Sequence, residues 1–357
     1  GYQPLRITGV VDLPTAVPRQ LMTHDDGTVS LYEWFGTPGL PRNVQLTPAL
    51  PPGGTVAMHD STWGLQPLVL GGSAHPYLKT FTAYPLGGPA TWQNVAGPLP
   101  GDPVDFVHRY ESAEDREIVG LIAASLAFGN ALAARRSIER VLERLGPRPA
   151  ARVRESTEAE LQHLLRGFVH RIYRGEHIAT MLFHAGALHR QHRTLGEAFA
   201  CYHHSNRGVF RESLAELADA LRGPATDRSM RHLVSDPRAG SACKRLVLYA
   251  RWMVRPADGV DLGLWPIPAS DLVIPVDTHV HRIARNLGLT SRPSASWATA
   301  EEITAELRKL DPDDPVKYDF ALCHLGVSRQ CPSRPDPDKC ERCVLRDVCA
   351  VWEPPTK

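Results

Sequence analysis

Residues 331–349 read Cys331-Pro-Ser-Arg-Pro-Asp-Pro-Asp-Lys-Cys340-Glu-Arg-Cys343-Val-Leu-Arg-Asp-Val-Cys349. The four thiols are spaced x8, x2 and x5, and prolines 332, 335 and 337 bend the chain between them. Four thiolates in so short a loop can converge on one metal centre. Zn²⁺ in a Cys₄ site and a [4Fe–4S] cluster both satisfy that ligand set. Structural zinc usually takes two close pairs, and here one pair is close. Left without metal, thiols among charged neighbours would be an oxidation liability. The chain has seven cysteines, and four of them fall in its last 27 residues. An odd, clustered set argues against an evenly stapled secreted scaffold and for a reducing, cytoplasmic setting. The other three, Cys201, Cys243 and Cys323, read as small core thiols.

Upstream, residues 275–288 read Pro-Val-Asp277-Thr-His-Val-His-Arg282-Ile-Ala-Arg285-Asn-Leu-Gly. An Asp before Thr at the head of a helical pattern is a good N-cap. A capping carboxylate also stays ionised at a helix N-terminus, which suits a group that stabilises positive charge. Further upstream lies Asp236-Pro-Arg-Ala-Gly240-Ser-Ala242-Cys-Lys244-Arg245, a glycine-containing turn opening the next helix. Lys244 reads either as an exposed helix lysine or as a functional amine. Only six lysines stand among 40 basic residues, so a lysine in this position carries weight.

These segments resemble the endonuclease III-like, helix-hairpin-helix superfamily of DNA glycosylases. LCHLGVSRQC (322–331) followed by CERCVLRDVC (340–349) is similar to that family's cluster loop, C-x6-C-x2-C-x5-C around a [4Fe–4S] cluster. The last two intervals match, with Val344, Leu345, Arg346 and Asp347 before the final cysteine; the first is two residues longer. The resemblance implies cluster ligation by Cys331, Cys340, Cys343 and Cys349, with zinc as the alternative occupant. Val276-Asp277-Thr278-His279 matches the family's aspartate motif, so Asp277 stands for the catalytic carboxylate. The 236–245 segment resembles the hairpin L-P-G-V-G-R-K: Gly240 takes the first glycine, Ala242 replaces the second, and Lys244 falls on the lysine nucleophile. The Leu-Pro-Gly start is missing.

Leu121–Asn130 resembles the family's first core helix, which ends in a residue that fills the hole left by a flipped base. Phe128, Gly129 and Asn130 occupy that neighbourhood, without the family's glutamine. What the resemblance implies is base flipping from double-stranded DNA, attack by Lys244 as an amine made neutral by burial, and strand scission through a Schiff base. Arg245, Arg282 and Arg285 become candidate phosphate contacts, and Arg329, Arg334 and Arg342 are placed to meet the backbone from the cluster loop. The loop 255–274, with Trp265, is longer than in the family and is expected to shape the pocket. Two rivals stand beside this reading: a non-catalytic, cluster-bearing nucleic-acid-binding module, and a monofunctional glycosylase in which Asp277 activates water.

Composition sets the boundaries. The first hundred residues hold four basic and five acidic side chains, 14 of the 31 prolines and 13 of the 28 glycines. Short β-prone runs there, Val29–Phe35, Gly54–Met58 and Tyr77–Tyr84, predict a small β-rich domain over 1–100; seven tyrosines and tryptophans argue against disorder. Beyond Gly97-Pro-Leu-Pro-Gly101 the period turns helical, first across Glu114–Leu145 and then in Glu158–Leu165, Phe168–His192, Phe210–Leu221, Ala242–Val254, Thr278–Leu287, Ala298–Leu310 and Val316–Leu325. The expected fold is mainly α: a two-lobed glycosylase domain over 101–330 and a cluster loop over 331–357. The His203-His204 pair reads as helix core or solvated face. Forty basic against 39 acidic residues exclude a polybasic tail protein, though not a locally positive DNA face. The longest apolar stretch, Ile118–Phe128, is too short to span a membrane, and the first residues lack a signal peptide's basic start and apolar core. A monomer is expected.

Overall fold

In the computed structural model the described residues are 102–351, without 225–226, 328–330, 342 and 344, together with the backbone of seven earlier strands. The chain divides into two compact units, Gly1–Pro100 with Asp258–Val260, and Gly101–Ala257 with Asp261–Lys357. In the first, β1 (Arg6–Val11), β2 (Arg19–Thr23), β3 (Val29–Glu33) and β4 (Arg42–Thr47) pair in chain order as one antiparallel sheet. Strands β5 (Thr55–Ser61), β6 (Gly64–Leu70) and β7 (Leu78–Thr80) form another. The 97–101 boundary lies outside the described residues.

The second unit is helical, and its centre is α1 (Ala113–Leu126), buried continuously from Glu117 to Leu126. Apolar residues on every side explain this: Ile118, Leu121, Ile122 and Leu126 are fully enclosed. The helical period across 114–145 is interrupted. Gly129 has φ +85° and Asn130 caps a second helix, α2 (Ala131–Leu145), its Oδ1 accepting from Ala133 N at 3.1 Å. A second departure concerns 168–174, expected to be helical. Gly167 and Arg171 take positive φ, and β-prone Val169, Ile172 and Tyr173 close a hairpin, β8 (Val169–His170) and β9 (Tyr173–Arg174). Between these lie α3 (Pro149–Glu155) and α4 (Glu158–Leu164), the latter started by a Thr157/Glu160 capping box.

Then follow α5 (Gly175–His192), α6 (Leu195–Ser205), α7 (Phe210–Arg222) and α8 (Arg228–Leu233). The last group carries the candidate site: α9 (Lys244–Val254), α10 (Thr278–Asn286), α11 (Trp297–Leu310) and α12 (Asp319–Val327). Gly120 lets α9 approach α1, for a Cβ there would stand 2.5 Å from Met253 Cε. Gly326 does the same for α10 and α12, where a Cβ would meet His279 Cβ at 2.5 Å. Two side-chain-free positions thus seat α9 and α12 close to their neighbours. No helix among the described residues is long and apolar enough to cross a membrane.

Candidate active site and cysteine loop

The turn before α9 is built locally. Asp236 caps a short 3₁₀ helix (Pro237–Ala239), accepting from Arg238 N at 2.8 Å. Gly240 then takes φ 81°, ψ −1°, a left-handed conformation that favours glycine. A Cβ at Gly240 would meet nothing within 4 Å, so backbone conformation rather than space selects this residue. Gly240 and Ser241 are exposed, Ala242 is buried, and Ser241 bridges Ser296. Cys243, also at positive φ, precedes α9 without a side-chain cap, and Lys244 is the first helical residue.

Asp277 caps α10 with one oxygen and pairs with Lys244 through the other. Its Oδ1 accepts the N–H groups of His279 and Val280, both at 2.8 Å, while Oδ2 lies 3.3 Å from Lys244 Nζ. One residue thus both caps α10 and pairs with the lysine. Burial alone would raise the Asp277 carboxyl, but the Lys244 charge and the Val280 N–H hold it below the usual value. Lys244 departs from the expectation of an amine made neutral by burial. Burial does pull it down, yet the Asp277 and Asp319 carboxylates more than offset this and hold the ammonium above an ordinary lysine. About a third of the side chain (32%) remains open to solvent, while the amine end is turned inward against Asp277.

Behind the pair runs a chain of buried ions not foreseen from the sequence. Arg251 donates to Asp319 Oδ2 at 3.0 Å and to Asp261 Oδ2 at 2.9 Å; Arg255 bonds Asp261 and grips Asp314, Nη2 to Oδ2 at 2.8 Å. Arg251, Asp261 and Asp319 are almost wholly enclosed. Burial pushes Asp319 up to about 6, against the pull of Arg251. Cys323, read as a core thiol, lies with Sγ 3.9 Å from Asp277 Oδ2, and burial raises it further from ionisation. The available signal was spacing: Lys244 and Arg251 two turns apart, Asp319 and Cys323 one turn apart.

Phe128 packs among Tyr173, His170 and His232, with ring centroids 5.0, 4.9 and 5.8 Å away. Arg245 lies over Phe128 at 5.0 Å and bonds the Tyr173 hydroxyl and the His232 carbonyl. Burial pushes Tyr173 up to about 12 and holds His170 and His232 below the ordinary imidazole value. Gly129 abuts Arg171, and Asn130 serves as the α2 cap. Of the arginines, Arg245 is tied inward, Arg282 donates to the Cys331 carbonyl at 2.6 Å, and Arg285 and Arg334 are exposed. Arg329 and Arg342 lie outside the described residues.

Two further expectations resolve into core contacts. Trp265, from the long loop, is buried against Phe199 and donates to Glu117 Oε1 at 2.8 Å, so it supports the core rather than shaping the pocket. His203 is buried, bonding Asp271 at 2.9 Å and Ser213 at 3.2 Å. That trio has the residue types of a nucleophilic triad, but Ser213 is completely enclosed and no substrate reaches it. His203 is a core tie.

The four thiols of the cysteine loop, Cys331, Cys340, Cys343 and Cys349, are half-buried and form no disulfide. A one-turn helix, α13 (Pro337–Cys340), and a 3₁₀ turn (Arg346–Val348) separate them. Burial raises the Cys343 thiol, the Leu345 N–H bond lowers it, and Cys331, Cys340 and Cys349 raise it again. Amide donors point at sulfur: Asp336 N to Cys340 Sγ at 3.4 Å, and Asn286 Nδ2 to Cys331 Sγ at 3.8 Å. N–H donors aimed at two of the sulfurs suit thiolates that hold a metal group. Among the described residues no three His, Cys, Asp or Glu side chains are arranged around a single metal ion. A polynuclear cluster, whose ligands bind different irons, holds its sulfurs further apart than one ion does.

These elements make a mainly helical protein with a lysine–carboxylate pair at the heads of two helices. The chain belongs to the family described as Protein of unknown function (DUF2400), whose profile matches residues 102–328. It is 30% identical over 125 residues to endonuclease III homolog 2, chloroplastic, of Arabidopsis thaliana. That match covers 34% of this chain and 28% of the length of the relative. No solved structure matches the chain.

Proposed function

We propose that the protein is a DNA glycosylase with accompanying lyase activity, acting on double-stranded DNA that carries a damaged or modified base. The observation that carries this reading is the Lys244 amine 3.3 Å from Asp277, itself fixed as the cap of α10. The partial likeness to an endonuclease III homologue supports it. The target nucleotide is flipped out of the stack. Lys244, having lost its proton, attacks the sugar C1′; the C1′–N bond breaks, and its electrons leave with the base, which takes up a proton. Asp277, ionised, stabilises the positive charge that develops on the sugar. The C1′–O4′ bond of the adduct then breaks as the Lys244 nitrogen gives up a proton and O4′ takes one up, leaving a Schiff base; loss of a C2′ proton to water expels the 3′ phosphate as the C3′–O bond breaks.

Gly240, Ala242 and the uncapped first turn of α9 form the phosphate seat, and the exposed Arg285 is a further phosphate contact. Phe128, Gly129 and Asn130 fill the space the base vacates. Cys331, Cys340, Cys343 and Cys349 hold a [4Fe–4S] cluster, with zinc the alternative, and its contribution is to fix the loop. The assignment comprises a β-rich domain over 1–100, a two-lobed helical glycosylase domain over 101–330 and the cluster loop over 331–357, working as a cytoplasmic monomer.

One observation favours a second reading. Lys244 is held as an ammonium in the protein alone, which suits a DNA contact in a monofunctional enzyme where Asp277 activates water. Duplexes carrying single modified bases, assayed for free base and for strand scission, separate the two readings. Scission with base release supports the lyase, and base release alone supports the water route. If no base is released from any substrate, a binding module stands instead.

A further inference from the structure

Helices α9 and α12 present reactive groups at matching spacings. Lys244 and Arg251, seven residues apart, share a face of α9, and Asp319 and Cys323, four apart, share a face of α12. The two faces are joined: Arg251 Nη1 reaches Asp319 Oδ2 at 3.0 Å, while Lys244 Nζ and Cys323 Sγ stand 3.3 and 3.9 Å from Asp277 Oδ2. An enclosed carboxylate thus lies behind the reacting pair.

We propose that Asp319 is a positioning residue whose gain or loss of one proton sets how firmly Lys244 holds its own. The inference rests on the reading of Lys244 as the reacting amine. The groups acting on Asp319 are Lys244 and Arg251 of α9, Asp277 at the head of α10, and Asp261 from the loop after α9; Cys323 shares its helix. Arg255 and Asp314 continue the ion chain, and Asp102 acts on Cys323. Asp319 is 3% exposed, and burial first, then Asp277, moves its titration into the range near neutrality. Ionised, Asp319 adds negative potential that retains the ammonium. Protonated from solvent, it withdraws that potential, and Lys244 gives up its proton more readily. DNA closing over the site removes water, which disfavours the ionised carboxylate and drives the change toward a free amine.

Lys244 can be read directly. Reductive methylation of the full-length protein with ¹³C-formaldehyde labels six lysines, and Lys244→Gln identifies the resonance. The wild-type Lys244 resonance should show a second inflection near the Asp319 titration. In Asp319→Asn that inflection should vanish, and the Lys244 midpoint should fall by about one pH unit. By reciprocity, Lys244→Gln should raise the midpoint of the Asp319 carboxyl carbon, a measurement that stands even if Asp319→Asn fails to fold. A Lys244 curve without the second inflection, together with an unmoved Asp319 midpoint in Lys244→Gln, would overturn the proposal. Borohydride trapping on an abasic-site duplex runs alongside. If neither wild type nor Asp319→Asn forms an adduct, the nucleophile reading fails, while the resonance titration still decides the coupling.

Discussion

Trp265 Nε1 donates to Glu117 Oε1 at 2.8 Å, joining the loop after α9 to the central helix across 148 residues of chain. The same carboxylate accepts Leu195 N at 2.9 Å and Gly196 N at 2.7 Å, the amides that begin α6. One buried acid therefore ties three elements, and it is only 2% exposed. Glu117→Ala should leave two amides and an indole without acceptors, costing about 3 kcal/mol or more. Urea denaturation measures this; a loss under about 1 kcal/mol would show that the tie contributes little.

The cysteine loop predicts a coupled loss. Protein purified without oxygen should contain iron and sulfide, and Cys340→Ser should lose both together with thermal stability, because ligation and folding of the loop are linked. Stoichiometric zinc in a colourless protein would replace the cluster with the alternative metal.

The Lys244–Asp277 pair predicts a separation of roles. Lys244→Gln should abolish the borohydride-trapped adduct while duplex binding survives, since one charge is a small part of a phosphate-binding surface. Asp277→Asn should keep the α10 cap, because Asn caps about as well as Asp. It should nonetheless slow base release by about 10²-fold if one preorganised charge is lost. Base release at wild-type rate in Asp277→Asn would remove that residue from the chemistry.

Asp319 makes a separate prediction for stability. Its folded value, about 6, lies above the ordinary 3.8, so the folded protein binds this proton more tightly than the unfolded chain. The stabilising contribution is complete below the unfolded value and is lost as pH rises through the folded one. Stability of wild type relative to Asp319→Asn should therefore decline between pH 3.8 and about 6. Urea midpoints of the two proteins across that range test the sign, and a rising difference would contradict it.

Local features were legible in the sequence by itself. Asp277 and Ser296 cap their helices as their residue types imply, and Gly240 takes the left-handed turn ahead of Lys244. Caps and turns depend on a few adjacent residues, so their identity suffices. Tertiary structure alone decided the rest. The break at Gly129 and the hairpin at 169–174 interrupt segments whose apolar pattern read as helical. Trp265, expected at a pocket, turned inward because Glu117 and Phe199 receive it. The proton affinity of Lys244 was decided in the same way. Burial was foreseeable as a downward pull, but the opposing pull comes from Asp277 and Asp319, brought from 33 and 75 residues away by the packing of α9, α10 and α12. Electrostatic direction depends on distance in space, and no spacing along the chain encodes it.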